Sequence, residues 1–194
     1  MKIRQTGTIT LATACLALTI AGVTSVAGCG GSSEGFPPLN PLLPRNFVVQ
    51  LSSVNQYFDS ITQQDSTGKD STAQGDPNAT RAVFFIDDAD TQKVTITVDR
   101  YDSTSDAGSA YQTALEKSEE VPGFTPIVIP SVGQQSFAGS VTQGMETHVG
   151  LGALDGKFVF GATLAGFDAT SDNVANLVGL ARAENAAIDA AAGR

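Results

Sequence analysis

Residues 145–165 read METHVGLGALDGKFVFGATLA. Apolar side chains alternate with small or polar ones on both sides of Asp155-Gly156: Val149, Leu151 and Ala153 before the pair, Phe158, Phe160 and Ala162 after it. Period-two alternation about an Asp-Gly pair predicts a β-hairpin. A two-residue turn at Asp155-Gly156 sets a register in which Leu154 faces Lys157, Ala153 faces Phe158, Leu151 faces Phe160 and Val149 faces Ala162. The other face then carries His148 beside Thr163, Gly150 beside Gly161 and Gly152 beside Val159.

Working outward, Gln135–Thr142 extends the hairpin into a meander of three strands, the others being Met145–Leu154 and Lys157–Ala165. Upstream, RAVFFID (Arg81–Asp87) and KVTITVDRY (Lys93–Tyr101) read as a second hairpin around Asp87-Asp88-Ala89-Asp90. Ala107, Ala110, Tyr111, Ala114 and Leu115 fall at i, i+3, i+4, i+7 and i+8, which predicts an amphipathic helix capped by Ser105 or Asp106 and stopped at Val121-Pro122-Gly123. Pro126–Pro130 predicts a short edge strand, because proline cannot serve a central ladder. Ser171–Ala192 predicts a final helix, with Ser171 or Asp172 as cap and an Ala-rich tail, Ala186–Arg194, that frays. Phe47, Val48, Leu51, Val54, Phe58 and Ile61 have helical spacing, so Asn46–Gln64 reads as a helix capped by Asn46, with a strand over Phe47–Leu51 as the shorter alternative. Residues 65–80 are small and polar and read as a mobile loop. Strand pairs, a crossover helix, a meander and a terminal helix together predict an α+β fold: a two-layer sandwich with a mainly antiparallel sheet and helices packed on it.

The chain has 194 residues, a net charge of −9, 41% hydrophobic and 16% charged residues, one His and two Cys. The acidic balance argues against nucleic acid and against a basic patch on anionic membrane. One His and two Cys leave little for zinc or for a His-dependent triad. The search for a phosphate loop, a G-x-S-x-G elbow or zinc-ligand pairs returns none.

The start carries an address. Met1-Lys2-Ile3-Arg4 is basic, the apolar run Ile9–Ala21 follows, and no charged residue intervenes before Glu34. That pattern predicts a secretory signal peptide over residues 1–28. Val26-Ala27-Gly28-Cys29 at its exit resembles the lipobox of bacterial lipoproteins, with Val26 where the family prefers Leu. The resemblance implies cleavage before Cys29, a diacylglycerol thioether on its sulfur and often an acyl chain such as palmitate on its amine. Each buried CH₂ contributes about 0.8 kcal/mol, so two or three chains would moor a domain firmly. Ordinary cleavage after Ala27, or a retained helix over Ile9–Ala27, are the other readings of the same residues. Gly30–Gly35 and the proline-rich stretch to Pro44 read as a tether, residues 29–45, ahead of a single domain over 46–194.

The candidate ligand or partner face is the hairpin's outer strip: Glu146, His148, Gly150, Gly152, Gly161 and Thr163. Glycines inside strands signal that something approaches closely there, a packed helix or a ligand. Glu146 and His148 share a face but have no nucleophile or third ligand beside them, so no catalytic residue, no metal and no cofactor is assigned. Asp87, Asp88 and Asp90 miss the EF-hand pattern and read as a solvated turn. The leading functional expectation is a lipid-anchored, non-enzymatic binding or envelope-assembly module. It would lie on the extracytoplasmic side of the cell membrane or outer membrane, partnered by the membrane and by an envelope protein or small ligand. The rival is a secreted hydrolase with paired carboxylates in a cleft.

Overall fold

The computed structural model describes residues 41–64, 77–144 and 146–194. The signal segment, Cys29 and most of the tether lie outside them, as do residues 65–76 of the loop. The described elements are a 3₁₀ turn at Arg45–Phe47, helix α1 (Leu51–Val54), β1 (Gln63–Gln64), β2 (Ala79–Ile86), β3 (Lys93–Arg100), α2 (Thr104–Glu119), β4 (Thr125–Ile127), β5 (Gln135–Gln143), β6 (Glu146–Asp155), β7 (Phe158–Ala165) and α3 (Ser171–Ala192). Among the described residues seven strands form one antiparallel sheet in the order β1-β2-β3-β7-β6-β5-β4. The fold is α+β, with helices packed on an antiparallel sheet.

The β6–β7 hairpin forms where the alternation placed it, but its register differs. Asp155 pairs with Phe158, so the loop is Gly156-Lys157. Gly156 has φ +59°, the value that suits glycine at the first position of a tight hairpin turn. Asp155 stays in the ladder, and its carboxylate accepts a hydrogen bond from Arg194 at 2.7 Å. Every cross-strand pair therefore slides by two residues: Leu151 faces Ala162, Gly150 faces Thr163, Gly152 faces Gly161, and His148 faces Ala165. An even slip changes partners and keeps faces, so the core residues are those the alternation marked.

One sheet face carries Val83, Phe85, Val94, Ile96, Val98, Val149, Leu151, Phe160 and Leu164, all essentially buried, and α3 lies on it. Leu177, Val178, Leu180, Ala181 and Ile188 supply the buried stripe of that helix. Thr170 caps it by accepting from the Asn173 N–H at 3.2 Å, one position before the expected caps. Its end does not fray. Gly193, at φ +73°, sends its N–H to the Ala190 carbonyl while the Arg194 N–H reaches Asp189, a Schellman closure. The Arg194 guanidinium then bridges Asp155 and Asp189, each at 2.7 Å, and lies over the Phe158 ring. On the opposite face α2 packs against β6 and β7, so this sheet carries helices on both sides. Ser103 caps α2, accepting from the Asp106 N–H at 3.0 Å.

Residues 46–64 are not one helix. Phe47, Val48 and Val49 are buried in succession, which one helical stripe cannot arrange. They run as a 3₁₀ turn and an extended link into the single helical turn α1. Tertiary partners take over the backbone here: the Val49 N–H donates to Glu184 Oε2 of α3 at 2.9 Å. Leu43 is fully buried, and its carbonyl accepts from Arg81 Nε at 2.5 Å, so the last residues assigned to the tether belong to the domain.

Glu184 is 1% exposed, and its Oε1 has no hydrogen-bond partner among the described residues. Burial pushes its carboxyl up to about 8, against the Val49 hydrogen bond and nearby Arg45, which favour the charge. Burial likewise raises Asp99 to about 6. Carboxyls that hold protons more tightly when folded make stability fall as pH rises between the free and the buried values: from 4.5 to about 8 for Glu184, and from 3.8 to about 6 for Asp99. Glu184→Gln keeps an acceptor for Val49 and removes the charge. Chemical denaturation should show it more stable than wild type above about pH 8, by on the order of a few kcal/mol, and near parity at about pH 5.

Candidate functional site

The face opposite α3 gathers every residue of the predicted strip. Glu146, His148, Gly150 and Gly152 alternate along β6, and Thr163 and Gly161 sit opposite Gly150 and Gly152 on β7. On the other side of β6, Gly139 of β5 pairs with Gly150, and Phe137 with Gly152. The result is a row without bulk running across three strands.

Aromatic rings use that room. Phe124, from the link between α2 and β4, lies directly on Gly139: a Cβ there would sit 2.2 Å from the ring's Cε2. Tyr111 of α2 meets the Phe137 ring edge-on at 5.6 Å. Tyr111 is also buried with Tyr101, Ala107, Leu154 and Val159 in a small second core. Gly139 belongs to this strip, and the sequence reading missed it. Its sign in the sequence was Ala138-Gly139-Ser140, a run of small residues inside a strand.

The polar end of the strip holds Glu146 and His148. His148 is 3% exposed, with its Nε2 3.7 Å from the exposed Glu146 carboxylate and its Nδ1 without a hydrogen-bond partner among the described residues. No group of three His, Cys, Asp or Glu is placed to hold a metal among the described residues. The acidic turn is a structural cap: Asp87 accepts from the Thr91 N–H at 2.7 Å, the Thr91 hydroxyl at 2.6 Å and the Gln92 N–H at 3.0 Å. Those bonds, led by Gln92, hold its carboxyl below the usual range.

Beyond the glycine row the sheet edge opens into a cleft of about 290 Å³ between the C-terminal half of α2 and the β4–β5 edge. Leu115, Phe124, Ile127, Ile129 and Phe137 line it, Glu119 is its one charged residue, and Ser136 adds a hydroxyl. Val128, on the same stretch, is fully exposed. The strip and the cleft are neighbours, since Phe124 and Phe137 belong to both. The sequence reading recognised β4 as an edge strand but had no means of pairing it with α2 across a cavity.

This chain is similar in fold to the extracellular domain of PknH from Mycobacterium tuberculosis. That crystal structure shares 13% identity with it and superimposes with a TM-score of 0.53, over 77% of this chain and all of the other. No family model matches the chain, and no curated protein matches it. At that identity the likeness speaks to fold alone. Among the described residues no helix is long and apolar enough to cross a membrane.

Gly139→Ala tests the aromatic wall. The new methyl group meets the far end of the Phe124 ring, which can swing off the sheet. The expected cost is about 1–2 kcal/mol in a urea melt. Side-chain NMR of Phe124 should show that ring displaced, with the α3 face unchanged.

Proposed function

We propose that this protein is a lipid-anchored, extracytoplasmic binding module without catalytic activity, whose ligand or partner seats in the cleft between α2 and the β4–β5 edge. The observation that carries the reading is that cleft: an open concavity whose lining combines apolar side chains with a carboxylate and a hydroxyl. Its volume of about 290 Å³ lies just below the usual range for small-molecule sites. The hydrolase alternative asks for two carboxylates facing one reacting bond. This cleft offers Glu119 alone. The likeness to an extracellular domain supports an address outside the cytoplasm. The signal-like start and the lipobox-like Val26-Ala27-Gly28-Cys29 support acylation of Cys29. A membrane mooring would raise the effective concentration of the cleft near partners on the same surface.

Two measurements test this. Cys29→Ser should move the protein from the membrane fraction to the soluble one, and mass spectrometry should find acyl chains on wild-type Cys29 only. An unmodified wild-type thiol removes the anchor. A photo-crosslinking residue at Val128 should capture an envelope component in intact cells, while the same probe at exposed Asp172, at the start of α3 on the opposite sheet face, should not. Equal or absent capture at both positions removes the cleft as the binding site.

A further inference from the structure

We infer that the cleft takes a slender apolar chain bearing a cationic amine head, the chain lying between Phe124 and Phe137 and the head against Glu119. This rests on the reading of the cleft as a binding site and names its ligand class.

The walls decide the body of the ligand. Leu115, Phe124, Ile127, Ile129 and Phe137 present hydrocarbon and offer no side-chain donor. A volume of about 290 Å³ admits one chain or small ring system, not the two chains of a diacyl lipid. An extended peptide is the other occupant an edge strand invites. Here the edge is blunted. Thr125, Pro126 and Ile127 pair with Ser140, Gly139 and Ala138. Proline has no N–H to give, so the donors facing β5 are Thr125 and Ile127, and the outward positions are 126, 128 and 130. Two of those three are proline, which leaves Val128 as the sole outward donor. Pro at an edge is the usual guard against an added strand.

The mouth decides the head. Among the described residues Glu119 is the one charged side chain lining the cleft, and no Lys, Arg or His does. Glu119 stands in the last turn of α2, where the helix presents its negative end, and Glu116 stands one turn back on the same side. Lys117 is the one base in that turn, and it does not line the cleft. An ammonium group at that mouth meets the Glu119 carboxylate. A carboxylate or phosphate head would meet repulsion from Glu119, with the Ser136 hydroxyl as the one side-chain donor among the described lining residues.

The test uses the full secreted chain carrying Cys29→Ser, titrated with decyltrimethylammonium, decyl glucoside and decanoate below their micellar concentrations. Side-chain NMR of Phe124 and Phe137 reports binding. The cation should bind roughly three- to tenfold more tightly than the anion, with the glucoside between them, and the spread should shrink in high salt. Glu119→Gln should reduce that preference severalfold while leaving glucoside binding unchanged. Decanoate binding as tightly as the cation, or an order that survives Glu119→Gln, overturns the proposed head. If none of the three binds although Val128 captures an envelope component in cells, the ligand class is wrong and the binding module stands. If Val128 also captures nothing, the binding reading falls with it.

Discussion

The ladder between β3 and β7 is the constraint from which the rest of the architecture follows. Eight residue pairs, from Lys93 with Ala165 to Arg100 with Phe158, join an N-terminal hairpin to a C-terminal meander. Without it there would be two small sheets, each too narrow to cover a helix of 22 residues. Closing a chain loop of this length costs entropy, but the cost grows only logarithmically with length. Burial along the ladder offsets it: Val94, Ile96 and Val98 on β3 face Leu164, Ala162 and Phe160 on β7 and are almost wholly removed from water. The intervening segment, α2 through β6, must then be placed around a sheet whose centre is already fixed. β6 and β5 extend it outward from β7, and β4 finishes the edge. The cleft lies at that edge because α2 stands over β6 and β7 and leaves the last strands uncovered.

Legibility in the sequence tracked how local the cause was. The hairpin of β6 and β7, the two strands β2 and β3, and the bounds of α3 follow from periodicity and turn chemistry within a dozen residues. The register of β6 against β7 was misjudged by two, because nothing local distinguishes a turn at Asp155-Gly156 from one at Gly156-Lys157. In the register observed, Gly156 takes the left-handed first turn position and Asp155 stays in the ladder, where its carboxylate binds Arg194 from the far end of α3. Residues 46–64 failed for the same reason. Their spacing is helical, but Glu184, distant by 135 positions, captures the Val49 N–H and fixes an extended link. Neither partner leaves a mark in the local pattern.

The candidate site shows the same division. Gly150, Gly152 and Gly161 are buried on the face that carries α2, and the Phe124 ring lies on Gly139, the β5 neighbour of Gly150. What covers that face could not be read. Phe124 sits between Gly123 and Thr125 in a stretch that looks like a plain connector, and its partner Gly139 lies in a strand that looks ordinary. The pair becomes visible only when β4 folds back along β5.

That arrangement ties the glycine strip to the cleft through packing alone. A bulky residue at Gly139 would lift Phe124, and a lifted Phe124 would take one wall from the cavity. Gly139 therefore acts at a distance from any ligand: it sets the height at which the Phe124 ring rests on the sheet. Glycine inside a strand is a local loss, on the order of 0.5–1 kcal/mol against alanine. At Gly139 ring contact from Phe124 offsets that loss. Glu146 and His148 stand at the start of the same strand as Gly150 and Gly152, a buried imidazole with its Nε2 3.7 Å from an exposed carboxylate.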